Sequence, residues 1–431
     1  MQRNAIEDIT GRSWFERAWT VQEAALARRC LILCGAAAID WEAFEASLTK
    51  ILQLVLSKQQ YHCWIGPALS HIYARRAFSS KQEADLRDLL TTYRTLRASD
   101  KRDKVFSQYW LCQTIDPSYP SPDYSKSLPE IYGEATALAI KSTKSLASLE
   151  MCFNIDDSFP RASWILDWSR NIYHPFQDAT ASRDSTARFE FSADEKLLQL
   201  SGINVDKVQR RGTPLCNITP KEFHDFNDSI NDRVSNIVKL IRILKEWCEI
   251  AGPISPLDPL DPPSKAILRL LKASIRRSPT NIRWPSDQMQ RVFLDSLQGT
   301  QSYRRELLKE FRHGLSRRAP PEFSPYLNIE ELVIFLYLQS TELQSLLTSM
   351  AALGRVSFTF FVSENGTCGF APPFIEVGDS ITLFSGVRYP MIIRPVGDNQ
   401  YRLIGPAWVE GMMEGEFWTK PEEKMKEFVI C

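Results

Sequence analysis

The 431-residue sequence lacks the long apolar segments of a secreted or membrane-embedded protein. No stretch approaches the roughly 18 apolar residues that a membrane-spanning helix needs, and the closest one, Leu332 to Leu338, is far too short. The first residues, MQRNAIEDIT, contain no continuous apolar run of the kind that a secretory signal peptide has. Nine cysteines without framework spacing favour free thiols in a reducing compartment. We therefore predict a soluble, cytoplasmic protein.

The sequence also lacks excess charge of either sign and the common catalytic motifs. Lys plus Arg and Asp plus Glu number 52 each, so the net charge indicates no nucleic-acid partner. There is no phosphate-binding loop, no dinucleotide fingerprint and no nucleophile elbow, and five histidines leave few candidates for a general base.

Five scattered Cys and His residues do not have the spacing of a zinc site. Cys30 and Cys34 are four residues apart on a predicted strand, which is too far to share one ion comfortably. The pair His62 and Cys63 has no second ligand pair at knuckle spacing, and His71 stands alone. We therefore predict neither a metal nor a cofactor.

What the sequence does contain is the composition of an ordered protein and alternating helical and strand patterns. Ser13 and Glu16 have the spacing of a helix capping box, after which Phe15, Trp19, Gln22 and Leu26 fall on one helical face. Residues 30–34 read as a short buried strand, and Asp40 precedes another helix.

The later part of the chain carries further helix and strand signals. A helical run is expected over residues 83–97, and Ser127 with Glu130 forms a second capping box. Hairpins are predicted at 189–200 and at Asn365-Gly366, where both turn residues would need positive φ. Further strands are expected at 380–384, 390–394, 401–404 and 407–409. These patterns predict an α+β fold.

Five short blocks rich in Trp, Asp and Gly stand in a fixed order along the chain. Their residues are Trp14, Arg17, Trp19, Gln22 and Glu23; Arg102, Asp103 and Lys104; Asp123 and Tyr124; Ser163, Trp164, Asp167 and Trp168; and Gly378, Asp379, Arg394, Gly411, Met413, Gly415 and Glu416. In this order they resemble the fungal heterokaryon-incompatibility (HET) domain family.

The resemblance implies a regulator of self/non-self recognition and programmed cell death that acts through protein–protein contacts. The family's signature domain is thought similar to Toll/interleukin-receptor-like folds, some of which cleave NAD. The first block resembles the end of that domain, and the family's W-I-D-x-x-C-type block has no match here.

We therefore expect four regions. Residues 1–60 are a C-terminal remnant of the HET domain, and residues 61–215 are a helical HET-associated region with a β-hairpin near its end. Residues 216–330 form a helical insert interrupted by prolines, and residues 331–431 form an apolar helix followed by a small β-rich module.

Two functional alternatives stay open. Glu23 could be a catalytic carboxylate in NAD cleavage, or a helix residue paired with a basic neighbour such as Arg17. Residues 264–277 form a basic amphipathic helix that could contact a membrane surface or a partner, or could be an ordinary solvated surface. Its cations are Lys265, Arg269, Lys272 and Arg276. For the second to fourth blocks we predict structural roles, in which aspartates tie loops to the core and aromatics pack.

Overall fold

The computed structural model describes residues 8–57, 66–79, 85–113, 116, 119–153, 161–170, 179–215, 230–251, 358–397, 399–419 and 421–431. The chain divides into two compact units. Unit 1 comprises Met1–Cys152, Asp156–Ile172 and Ala193–Lys196, and unit 2 comprises Phe153–Ile155, Tyr173–Ser192 and Leu197–Cys431. Described helices dominate unit 1 and described strands dominate unit 2, which confirms the predicted α+β class. No described helix combines the length and apolar character that crossing a bilayer requires.

Unit 1 is built mainly of helices that pack around aromatic side chains. Its elements are α1 (Ser13–Glu16), α2 (Thr20–Leu26), β1 (Leu31–Cys34), β2 (Ala37–Asp40), α3 (Trp41–Ser57), α4 (Gly66–Ser79), α5 (Leu86–Tyr93), α6 (Asp103–Gln113), α7 (Leu128–Thr143) and a 3₁₀ helix (Ala147–Met151). Phe15, Trp41, Phe44 and Leu48 join Ile72 in one buried cluster, where the rings of Phe15 and Phe44 stack 5.6 Å apart. Helix α3 starts directly after Asp40, as predicted.

The predicted continuous first helix is wrong, because the chain leaves the helical conformation at Arg17. Helix α1 has no side-chain cap, so the predicted Ser13–Glu16 capping box does not form. Backbone bonds from Arg97 N to Glu16 O (2.5 Å) and from Ala18 N to Arg97 O (2.8 Å) replace helical bonds there. Helix α2 then restarts in a new phase and buries Thr20, Val21, Ala24 and Ala25.

Strand β1 is correctly predicted as a strand but is not buried. It pairs with β2 in a two-stranded hairpin, with Leu31 opposite Asp40 and Cys34 opposite Ala37. Leu31 and Leu33 keep 53% and 72% of their surface exposed. An apolar run predicts burial only when a second layer covers it, and β1 has such cover on one face alone.

The helices after residue 85 follow their capping signals. Asp85 caps α5 by accepting a hydrogen bond from Arg87 N (2.7 Å), and α5 ends at Tyr93, before the predicted end of that run. Ser127 and Glu130 form the predicted capping box at the start of α7. Their side chains satisfy amide groups that the first helical turn leaves free.

Unit 2 is a sheet organised by one long strand. Its elements are β3 (Phe189–Phe191), β4 (Leu198–Arg211), α8 (Ile230–Ala251), β5 (Thr359–Ser363), β6 (Cys368–Ala371), β7 (Ser380–Phe384), β8 (Met391–Gly397), β9 (Gln400–Pro406), β10 (Trp408–Val409), α9 (Pro421–Lys424) and β11 (Lys426–Ile430). Strand β4 pairs with both β3 and β11 through its first residues, and with β7 and then β5 farther along. The pairings β4–β11–β9–β8–β7 return to β4 and close on themselves.

The predicted strands and hairpins of unit 2 are confirmed, with one local correction. Strand β3 pairs with β4, and β5 pairs with β6 across the loop that contains Asn365-Gly366. Among the turn residues only Gly366 has positive φ (+80°). The connection is therefore a four-residue loop, 364–367, and not a two-residue turn. The predicted apolar helix at 329–353 and basic helix at 264–277 lie outside the described residues.

Helix α8 contributes one large side chain to the core of unit 2. The indole of Trp247 is fully buried and lies 5.8 Å from the ring of Phe360 and 5.6 Å from that of Phe370. Its nitrogen donates a hydrogen bond to the carbonyl oxygen of Thr213 (3.0 Å). A buried indole N–H needs such an acceptor, so the packing fixes the helix against this sheet.

Candidate functional site

Glu23 lies exposed on α2, and its described partner is an indole. Its Oε2 accepts a hydrogen bond from Trp14 Nε1 at 3.3 Å. The predicted pairing with Arg17 is absent from the described contacts, because the break between α1 and α2 turns Arg17 outward. Trp19 and Gln22 are half-buried. The first block therefore forms a surface cluster in which Glu23 fixes the Trp14 ring.

A buried histidine, which the sequence offered only as a weak metal ligand, lies beneath Trp14. The ring of His71, on α4, is 5.0 Å from that of Trp14 and is fully buried. Its Nδ1 lies 2.8 Å from the carbonyl oxygen of Pro67, and Nε2 lies 2.9 Å from the Thr20 hydroxyl. Burial lowers the pKa of His71 to about 4, so the ring is neutral near pH 7.

Arginine 75, one turn after His71, holds the end of α2. Its Nη1 donates to the carbonyl oxygens of Ala24 (2.8 Å) and Ala27 (2.6 Å). The last carbonyl groups of a helix receive no hydrogen bond from within the helix. A cation there supplies a donor and also interacts favourably with the helix dipole. His71 and Arg75 together fix α2 to α4, so the first block is positioned by residues about 50 positions away.

The second and third blocks come together at the start of α6. Arg102 Nη1 donates to the carbonyl oxygen of Tyr124 (2.7 Å), and its guanidinium lies 5.2 Å from the centre of the Tyr124 ring. The Tyr124 hydroxyl donates to Asp103 Oδ1 (2.6 Å), and Arg102 also pairs with Asp100 (2.6 Å). Desolvation, then the hydrogen bond to Asp103, raises the pKa of Tyr124 to about 12. The phenol therefore stays protonated and acts as a donor.

Lys104, the last residue of the second block, faces away from this cluster. Its ammonium group donates to the carbonyl oxygens of Arg94 (2.8 Å) and Leu96. These carbonyls follow α5 and have no helical partner. Lys104 therefore ties the segment after α5 to the first turn of α6.

The fourth block is a loop that inserts two indoles into unit 1. Trp164 and Trp168 are fully buried. Trp168 Nε1 (3.1 Å) and Leu166 N (3.3 Å) both donate to the Thr136 hydroxyl oxygen on α7, and Trp164 Nε1 donates to Lys196 O (3.2 Å). Every described polar atom of the two indoles thus has a partner, which makes the loop part of the core.

The third and fourth blocks each contain the same kind of local turn, in which an aspartate side chain accepts hydrogen bonds from the serine two residues later. Asp123 Oδ1 accepts from Ser125 N (2.9 Å) and Oγ (2.6 Å). Asp167 Oδ1 accepts from Ser169 N (3.0 Å) and Oγ (2.6 Å). Such side-chain turns fix irregular backbone without a strand or helix.

The fifth block lies in unit 2 and contains an ion pair whose carboxylate, Asp379, is buried. The Asp379 carboxylate is held by Arg394 through Nε (2.8 Å) and Nη2 (3.0 Å), and it also accepts from Glu376 N (2.7 Å). Arg394 reaches Phe374 O (2.7 Å) as well. The pair fastens the loop before β7 to β8, with Gly378 at φ +94° allowing the loop to turn.

The rest of the fifth block is a glycine-rich turn after β10. Gly411 (φ +74°) and Gly415 (φ +79°) both occupy the left-handed region. The carbonyl oxygen of Gly415 accepts from Arg183 Nε (3.0 Å), and Glu416 Oε2 accepts from Glu414 N (2.8 Å). Met413 Sδ accepts from Val409 N (3.3 Å). These residues shape the turn.

A shallow groove between α3 and α4 contains no block residue. Glu42, Glu45, Thr49 and Arg76 line it. Arg76 pairs with Glu45 and donates to Thr49 Oγ1 (3.3 Å), so these three side chains satisfy one another. No group of three or more His, Cys, Asp or Glu side chains gathers like metal ligands within the described part of the chain.

Comparisons with known proteins give two partial matches. Residues 340–430 match the family model of the Het-6 beta-barrel domain. A stretch of 67 residues is 41% identical to heterokaryon incompatibility protein 6, OR allele, of Neurospora crassa, and covers 15% of this chain and 10% of that protein. No solved structure matches the chain.

The two matches confirm the resemblance to fungal HET-domain proteins. The strand-rich part of unit 2 is similar to the Het-6 beta-barrel domain, whose match includes β5 to β11. The shared segment is about a tenth of the Neurospora protein, so the similarity applies to this segment and not to the whole protein.

Proposed function

We propose that the protein regulates fungal heterokaryon incompatibility, a self/non-self programmed cell death, through protein–protein contacts in the cytoplasm. The similarity to a protein named for heterokaryon incompatibility supports the biological role. The observation that carries the mode of action is the exposed apolar face of the β1–β2 hairpin. Contiguous exposed apolar side chains are typical of protein interaction sites.

This face, which we call the leucine face, consists of Leu31 and Leu33. The two side chains point to the same side of β1, because residues two apart on a strand share a face. They keep 53% and 72% of their surface exposed, and Leu26 at the end of α2 keeps 44%. Burying two leucines in a contact would contribute about 3–4 kcal/mol of apolar transfer energy.

The surroundings of Glu23 give no support to the alternative of NAD cleavage. Its carboxylate is exposed and accepts a hydrogen bond from the Trp14 indole. Such a contact is typical of a structural residue. The second alternative, docking through Lys265, Arg269, Lys272 and Arg276, concerns residues outside the described ranges and stays a prediction.

The test is a cell-death assay in a fungal host with matched variants. Leu31→Lys with Leu33→Lys places two charges on the leucine face, at side chains that keep more than half of their surface exposed. We expect this variant to lose the incompatibility response while its expression level and melting temperature stay unchanged. Val377→Lys, at an aliphatic residue of unit 2 that is 66% exposed, serves as the control and should respond like wild type.

Two outcomes would count against the proposal. A full response from the double lysine variant would exclude the leucine face as the contact. Nicotinamide release from NAD by the purified protein, lost on Glu23→Gln, would favour the enzymatic alternative instead.

A further inference from the structure

Arg94 is a buried cation whose partners do not match its charge. It follows the last residue of α5, and only 6% of its surface is exposed. Its described side-chain contact is Nη1 to the thioether sulfur of Met151 at 3.5 Å. A guanidinium has five N–H donors, and a thioether is a weak, uncharged acceptor. Within the described ranges no carboxylate pairs with Arg94.

This arrangement costs free energy unless another group supplies negative charge. A buried cation loses its hydration, and proteins ordinarily offset that loss with a paired anion and further hydrogen bonds. Burial lowers the pKa of Arg94 to about 10, and no neighbouring charge opposes this effect. The group nevertheless stays charged at pH 7, so the need for an anion remains.

A second cation lies in the same part of unit 1. The ammonium group of Lys104 contacts the backbone oxygens of Arg94 and Leu96. Among the described residues no carboxylate pairs with Lys104 either, and burial lowers its pKa. Other arginines of unit 1 pair with a carboxylate, such as Arg102 with Asp100 and Arg97 with Glu16. Arg94 and Lys104 are therefore two cations of unit 1 that lack a described carboxylate partner.

We infer that Arg94 is the binding residue of an oxyanion site in unit 1, which takes a carboxylate or a phosphate group. The planar fork of a guanidinium matches two oxygens of either group. The anion would enter where 6% of the Arg94 surface stays exposed. The site does not depend on the proposed function.

The test measures the thermal unfolding of the full chain in sodium chloride, sodium acetate and sodium phosphate at equal ionic strength. At an oxyanion concentration several times the Kd, an oxyanion that binds only the folded state should raise the midpoint of thermal unfolding by about 2–4 °C above its value in chloride. A rise in acetate alone identifies a carboxylate site, a rise in phosphate alone identifies a phosphate site, and a rise in both identifies a site that accepts either group. Equal midpoints in all three salts would overturn the inference.

Variants separate this site from general salt effects. Arg94→Met keeps the apolar length of the side chain and removes the charge, so it should abolish the oxyanion-dependent rise. In chloride it should melt no lower than wild type, because it removes an unbalanced buried charge. Arg97→Met removes the charge of an exposed arginine three residues along, paired with Glu16, and should keep the rise.

Two results with these variants would also be decisive. A marked loss of stability in Arg94→Met in chloride would show that the guanidinium already has a stabilising partner, and would overturn the inference. Arg94→Lys retains a cation without the fork, so it should keep a weaker rise. A rise in Arg94→Met equal to that of wild type would place the binding elsewhere.

Discussion

The two units hold their irregular segments in different ways. In unit 1 the block residues use side chains to bind backbone groups far along the chain, as Arg102 does with Tyr124 and Trp164 with Lys196. In unit 2 strand pairing organises the backbone, and the block residues add one ion pair with a buried carboxylate and several left-handed glycines. A helical unit lacks a ladder of hydrogen bonds between neighbouring elements, so its loops need side chains to fix them. A sheet supplies that ladder and needs only its turns specified.

The largest expected effect tests the dependence of unit 1 on its tryptophans. Trp164→Ala removes a fully buried indole and its hydrogen bond, so we expect a loss of about 3–5 kcal/mol in unfolding free energy. Trp14→Ala and Trp19→Ala should cost less, because both residues are half-buried. Chemical denaturation monitored by tryptophan fluorescence measures all three. A Trp164→Ala variant as stable as wild type would contradict the assignment of the fourth block to the core.

The next effect tests the ion pair of unit 2. Asp379→Leu removes the buried carboxylate that Arg394 holds through two hydrogen bonds and leaves Glu376 as its remaining ion pair, and we expect a loss of about 3 kcal/mol. The double variant Asp379→Leu with Arg394→Met removes both charges and should recover part of this loss. Denaturation curves of the single and double variants give the coupling energy. Independent, additive losses would mean that the pair does not act as a unit.

A pH dependence distinguishes the units further, since the buried His71 belongs to unit 1. Its folded pKa, about 4, lies below the ordinary 6.5, because burial disfavours the charged ring. The unfolded chain therefore binds the proton more readily, and the stabilising contribution is full above pH 6.5. It is lost as the pH falls from 6.5 to 4, by about 2–3 kcal/mol. As the pH falls across this range, the denaturation midpoint should fall less steeply in His71→Gln than in wild type. Equal pH dependence in the two proteins would show that His71 is not the group responsible.

The smallest effect compares two glycines of the same turn in unit 2. Gly411→Ala and Gly415→Ala both place a side chain in the left-handed region, which costs about 1 kcal/mol. At Gly415 the new methyl would also collide with the Arg183 side chain, whereas nothing lies near the Cβ position of Gly411. We expect a melting temperature lower for Gly415→Ala than for Gly411→Ala. Equal melting temperatures would show that Arg183 moves aside freely.

Local patterns in the sequence were sufficient for elements that depend on neighbouring residues. The capping box at Ser127 and Glu130 involves four consecutive positions, and β7 at Ser380–Phe384 follows from one short apolar run. The blocks themselves could be located by residue order alone. Their partners could not, because Arg102 and Tyr124 are 22 residues apart and His71 and Thr20 are 51 apart.

The sequence by itself determined the α+β class, the hairpins of unit 2 and the similarity to HET-domain proteins. Only the tertiary structure decided that the first helix breaks at Arg17, where Arg97 supplies the competing hydrogen bonds. It also decided that β1 is exposed and that Arg94 is buried without an anion among the described residues. A short window of sequence fixes backbone preference, because preference arises from adjacent residues. Burial and charge pairing arise from residues that are distant in the chain, and these only the folded structure brings together.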